Sequence, residues 1–71
     1  NRKLGQINNA AKNFEKAIEI NPDYIIALLN LGVSLIDLGQ NEEAAKRFEK
    51  VIAIEPYNSQ ALKNLKELST D

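Results

Sequence analysis

The sequence predicts an all-α fold of four helices, and three observations support this. Apolar residues recur every three or four positions, which is the period of an amphipathic helix. A shift of 34 positions aligns the two prolines and makes twelve of the 24 residues in 1–24 identical to those in 35–58. Glycine and proline stand between the periodic segments, where helices end. The chain is therefore predicted to repeat one helical unit.

The predicted helices are defined by periodicity and by the residues that end them. Pro22 and Pro56 stop the first and third helices, because the residue before a proline is pushed out of the α conformation. Gly39 is predicted to end the second helix with a positive φ. Asp23 and Asn41 are predicted to cap the helices that follow them. We thus predict helices at residues 7–20, 24–38, 41–54 and 58–69.

The composition excludes several classes of function. The chain has no His and no Cys, so the usual ligands for zinc, copper, haem and iron-sulfur clusters are absent, as are the usual general base and thiol nucleophile. Nine basic residues are interspersed with ten acidic ones, which argues against nucleic-acid binding. The carboxylates are expected at helix starts and on solvated faces, not in one convergent set. We expect no catalysis, no metal and no cofactor.

The sequence also bears on membranes and on the extent of the chain. Its apolar stretches are much shorter than the ~20 residues that span a bilayer, and it has no signal-peptide pattern. We therefore expect a soluble protein without a membrane partner. No feature of the sequence assigns the protein to a cellular compartment, so the cytoplasm is only a default expectation. Because the chain starts at Asn1 without Met, we expect it to be a segment of a longer protein. Its 71 residues are enough for one small domain at most.

The repeated unit resembles a known family. Residues 25–58 place eight small, apolar or proline residues at characteristic positions, namely Leu28, Leu31, Gly32, Leu35, Gly39, Ala44, Phe48 and Pro56. On these residues and the 34-residue period, the chain resembles the tetratricopeptide repeat family. The resemblance implies an α–α superhelix of about two repeats. Residues 1–24 would be a partial repeat, 25–58 a full repeat, and 59–71 the lone first helix of a further repeat or a capping helix.

Several residues are predicted to pack, not to carry chemistry. Gly32 and Ala44 are expected where neighbouring helices cross, since a short side chain allows close approach. Phe14 and Phe48 occupy equivalent positions of the unit and are expected to be core aromatics. The two tyrosines, at positions 24 and 57, are expected to pack at the turns. In the last segment, Lys66 replaces the glycine that would let another helix pack closely.

The helix at 24–38 carries the functional hypothesis. One stripe of leucines, at positions 28, 31, 35 and 38, is expected to face the core. A second apolar stripe is formed by Ile26, Leu29, Val33 and Ile36, and it is either exposed or buried by the flanking helices. The resemblance implies that an exposed stripe is a concave groove for a peptide of a partner protein. The predicted groove residues are Ile26, Leu29, Asn30, Val33, Ile36, Asp37, Lys63 and Glu67.

Two points limit the choice of partner. The family's polar groove, which captures the carboxylates of chaperone tails, uses Lys, Asn and Arg on successive helices, and only Asn30 matches it here. An apolar or mixed groove for a helix or an extended peptide fits better. The alternative function is a self-associating structural module, possibly an excised or engineered fragment. It would form a homodimer or exchange helices through the first helix, where Ala10, Phe14 and Ala17 lack a covering partner.

Overall fold

A computed structural model describes the backbone of residues 2–69 and the side chains of residues 5–69. Four α-helices account for almost all of this part of the chain: α1 (Arg2–Ile20), α2 (Ile25–Asp37), α3 (Asn41–Ile54) and α4 (Ser59–Ser69). Each helix packs mainly against its neighbours in sequence, α1 on α2, α2 on α3 and α3 on α4. The all-α prediction is confirmed, and helices adjacent in sequence form successive layers.

The predicted helix ends at proline and glycine are confirmed. The first helix ends at Ile20 and the third at Ile54, in each case two residues before a proline. Gly39 has φ 80°. The Gly39 N–H donates to the Ile36 carbonyl oxygen at 2.9 Å, and the Gln40 N–H donates to the Leu35 carbonyl oxygen at 2.8 Å. These two bonds form a Schellman motif, which satisfies the last carbonyl groups of α2.

The first helix starts earlier than predicted. It begins at Arg2 and not at residue 7, so Gly5 lies inside it, although Gly5 is the repeat equivalent of Gly39. Among the described glycines, only Gly39 has a positive φ. At Gly39 the chain turns, so that α3 packs back on α2. Gly5 has no positive φ and lies within α1.

The predicted side-chain caps are wrong, and a different residue caps α4. The N-cap residues of α2 and α3 are Tyr24 and Gln40, and neither makes a side-chain capping bond. Asp23 precedes the N-cap residue of its helix, and Asn41 is already the first helical residue of α3. Asn58 accepts a hydrogen bond from the Ala61 N–H at 2.9 Å through its Oδ1 atom. The amide side chain therefore satisfies one of the free N–H groups at the start of α4.

This cap gives a first prediction. Asn58→Ala is expected to lower the free energy of unfolding by about 1 kcal/mol, because it leaves an N–H group of α4 without its acceptor. The control is Asn41→Ala, which removes the same side chain from a position where it caps nothing. Urea unfolding followed by circular dichroism measures both. Equal effects for the two variants would contradict the capping role of Asn58.

The core lies where α2 crosses α3. Leu28 and Leu31 of α2 and Phe48 and Val51 of α3 are its largest fully buried side chains. A Cβ atom added to Gly32 would lie 2.5 Å from Cζ of Phe48, so the aromatic ring packs directly on the glycine backbone. Ala44, one turn before Phe48, is also fully buried. The predicted small residues at the helix crossing are confirmed.

Other packing predictions are confirmed only in part. Phe14 is half-buried at the edge of the core, unlike its fully buried equivalent Phe48. Leu38, expected in the core stripe, is also half-buried. Tyr57 is 92% exposed, so the prediction that it packs at its turn is wrong. Tyr24 keeps almost half of its surface exposed. The turns are thus held by backbone hydrogen bonds more than by tyrosine packing.

Candidate protein-interaction surface

The second apolar stripe of α2 divides into a buried and an exposed pair. Leu29 is 9% exposed and belongs to the core, and Ile36 is half-buried against it. By contrast, Ile26 is 63% and Val33 38% exposed. At 100° per residue, the two pairs point in directions about 60° apart. The stripe is therefore the boundary between the core and an open face of α2.

Four residues share the open face of α2. They follow each other at intervals of four, three and four positions, and we call them the α2 strip: Ile26, Asn30, Val33 and Asp37. All four are exposed. Two apolar side chains alternate along the helix with an amide and a carboxylate. Within residues 5–69, the Asn30 and Asp37 side chains make no hydrogen bond or ion pair, so their polar groups face solvent.

The remaining predicted site residues lie on another helix. Lys63 and Glu67 belong to α4, and both are exposed. Helices α2 and α4 both pack on α3. On α4, Asn64 is the repeat equivalent of Asn30, but its Nδ2 atom donates to the Gln60 carbonyl oxygen at 2.9 Å. The Asn64 amide is thus engaged with its own helix, while the Asn30 amide is available to a ligand.

A cleft of about 280 Å³ opens between α1 and α2, and we call it the end cleft. Its walls are mostly apolar or aromatic, with two amides, and comprise Asn13, Phe14, Ala17, Tyr24, Ile26, Ala27 and Asn30. The half-buried Phe14 lies in it. The sequence indicated an uncovered first helix but did not show that its open face continues onto α2 as one cavity. Ile26 and Asn30 belong to both the end cleft and the α2 strip.

A second cleft of about 260 Å³ lies between α1 and α3 and is more highly charged. Glu15 and Glu19 of α1 and Arg47 of α3 line it. Nη2 of Arg47 lies 3.7 Å from Oε1 of Glu43. The other oxygen of this carboxylate, Oε2, lies 3.5 Å from Nζ of Lys46. Surface ion pairs of this kind contribute little to stability, typically below about 1 kcal/mol. Within residues 5–69, Glu15 and Glu19 make no ion pair, and the buried Nε atom of Arg47 has no hydrogen-bond partner.

The described part of the chain has neither a metal-binding cluster nor a helix that could span a membrane. Among residues 2–69, no three His, Cys, Asp or Glu side chains are grouped so that they could hold a metal ion. None of the four described helices has the length and apolar character needed to cross a membrane.

Comparison with known families identifies the repeat. A sequence model described as tetratricopeptide repeat matches residues 2–69, which include all four helices. Comparisons with curated proteins and with solved structures give no significant match. The family match agrees with the 34-residue period and with the packing of Gly32 on Phe48.

Proposed function

Because this chain belongs to the tetratricopeptide repeat family, whose members are generally non-catalytic protein-interaction modules, we propose that it binds a peptide or helix of a partner protein along the α2 strip. The observation that carries the proposal is the exposure of Ile26 and Val33 on one face of a helix whose other faces are packed. Single exposed apolar residues are common on protein surfaces. Here two of them alternate with polar groups that can orient a ligand.

The strip provides three kinds of contact. Covering Ile26 and Val33 removes apolar surface from water, which is worth roughly 25 cal/mol per Å². The Asn30 amide offers two donors and an acceptor, and it can fix the register of a peptide backbone or a polar side chain. Asp37 favours a basic residue of the partner at its end of the strip, since complementary charges contribute specificity. The fitting ligand is therefore a mixed one, with apolar residues and one basic residue.

The second apolar stripe of α2 contains two exposed residues, Ile26 and Val33, and one buried residue, Leu29, and this difference allows a test. Replacing Ile26 and Val33 together by serine is expected to leave the melting temperature nearly unchanged, because exposed side chains lose little on becoming polar. Peptide binding should fall at least tenfold. The matched control is Leu29→Ser, which puts a hydroxyl into the core and should lower the melting temperature. Thermal melts and fluorescence anisotropy with labelled peptides measure the two effects.

The peptide probe can be obtained without knowing the partner. Random 14-residue peptides displayed on phage are selected on the parent protein and then tested on the Ile26→Ser, Val33→Ser variant. Backbone amide NMR shifts with a selected peptide should map to the α2 strip. The proposal fails if the peptides bind the variant equally well or if the shifts map elsewhere. It also fails if sedimentation shows a stable dimer that this double variant dissociates, because a second copy would then occupy the strip.

A further inference from the structure

The α2 strip carries a negative charge at the end of the helix where negative charge is unfavourable. Asp37 is the last residue of α2, and the carbonyl groups at a helix C-terminus carry a partial negative charge. We propose that Asp37 selects the partner by binding a lysine or arginine side chain, and that this cation removes an unfavourable interaction present in the free chain. The inference rests on the function proposed above and adds the residue that decides which ligand binds.

The surroundings of Asp37 contain nothing that offsets its charge in the described part of the chain. The last turn of α2 has no basic residue. Asp37 is exposed, and within residues 5–69 its carboxylate makes neither a hydrogen bond nor an ion pair. By contrast, Glu42 lies in the first turn of α3, where the helix dipole favours a negative charge. The stability of α2 therefore does not explain the carboxylate at position 37.

Val33 offers apolar surface to the aliphatic part of the same basic side chain. It lies one turn before Asp37 on the same face of α2 and is 38% exposed. Four residues of helix correspond to a rise of about 6 Å. This is roughly the length of a lysine or arginine side chain, whose methylene groups can cover Val33 while the charged group reaches Asp37. The pair therefore favours a long basic side chain over a short polar one.

The place of this pair in the fold favours a basic segment of a partner protein over other occupants. Val33 and Asp37 lie outside the end cleft, on a helix that packs on both α1 and α3. Their face is therefore not an end of the helix stack, where a further repeat would pack. A two-fold contact between two copies of the α2 strip would supply no cation to Asp37, because none of the four strip residues is basic.

Peptide selection tests the charge preference directly. Random 14-residue peptides displayed on phage are selected in parallel on the parent protein and on Asp37→Lys. We expect lysine or arginine to be enriched at one position of the peptides from the parent, and aspartate or glutamate in those from Asp37→Lys. A labelled peptide from the parent should bind Asp37→Asn at least tenfold more weakly. Its affinity for the parent should fall as the salt concentration rises, because salt screens exposed charges.

Thermal melts of the free chain separate a recognition role from a structural one. Asp37→Asn should raise the melting temperature by about 2–5 °C, because it removes the unfavourable charge. The matched control is Glu42→Gln, which removes a carboxylate from the start of a helix. It should lower the melting temperature and leave peptide binding unchanged. A lower melting temperature for Asp37→Asn would mean that the carboxylate serves the fold, and it would contradict the inference.

The outcomes separate this inference from the function on which it rests. If the selected peptides lose affinity for the Ile26→Ser, Val33→Ser variant but bind Asp37→Asn unchanged, the strip is a binding site and the role of Asp37 is wrong. If no selected peptide depends on the strip, both proposals fail. The inference is also overturned if the parent protein dimerises in sedimentation and Asp37→Asn makes it monomeric, since a second copy would then supply the cation.

Discussion

Replacing Phe48 by alanine is expected to bring the chain close to complete unfolding. Phe48 is fully buried with its ring against Gly32, and truncation of such a side chain costs about 3–5 kcal/mol. Small domains have a total stability near the low end of the range of about 5–15 kcal/mol. The Phe48 side chain thus accounts for most of the free energy of unfolding. Chemical denaturation followed by far-ultraviolet circular dichroism at low temperature measures the loss.

The repeat supplies the control for this variant. Phe14→Ala removes the same side chain from the equivalent position of α1, where the ring is only half-buried. Its effect should be clearly smaller, because part of the ring is already in water and its removal leaves an open depression, not a closed cavity. Similar losses for the two variants would mean that both rings are covered in solution, and an oligomer seen by sedimentation would then identify the cover.

The second large effect is expected at Gly32, from the addition of one methyl group. Gly32→Ala places a Cβ atom 2.5 Å from the Phe48 ring, so the ring or the helix must move. Overpacking of this kind typically costs about 1–3 kcal/mol. The gain in helix propensity from glycine to alanine, at most about 1 kcal/mol, offsets only part of it. Equilibrium unfolding should show a less stable variant that remains helical.

The same glycine-to-alanine change at Gly5 tests the sign of the expected change in stability. Gly5 also lies inside a helix, but a Cβ atom added there meets nothing within 4 Å. Gly5→Ala should therefore stabilise the chain by up to about 1 kcal/mol, through helix propensity alone. Opposite signs at the two positions are the expected result. If Gly32→Ala is as stabilising as Gly5→Ala, the close approach between α2 and α3 is not present in solution.

The sequence by itself determined the features that depend on neighbouring residues along the chain. The helical period, the ends at Pro22 and Pro56 and the positive φ of Gly39 follow from local sterics and hydrogen bonding, and the structure confirms them. The sequence also placed Gly32 and Ala44 at a helix crossing, because close approach requires a small residue, and the structure confirms this. The capping predictions failed because each depended on a helix start that was known only to within a few residues.

Only the tertiary structure decided which apolar residues are covered. Phe14 and Phe48 have nearly the same local sequence, yet one is half-buried and the other fully buried. Leu29 and Val33 belonged to one predicted stripe, but Leu29 lies in the core and Val33 faces water. Burial depends on which helix packs alongside, and that contact joins residues distant in sequence. Equivalent positions of a repeat therefore share a helical conformation but differ in exposure, and this difference creates the α2 strip and the end cleft.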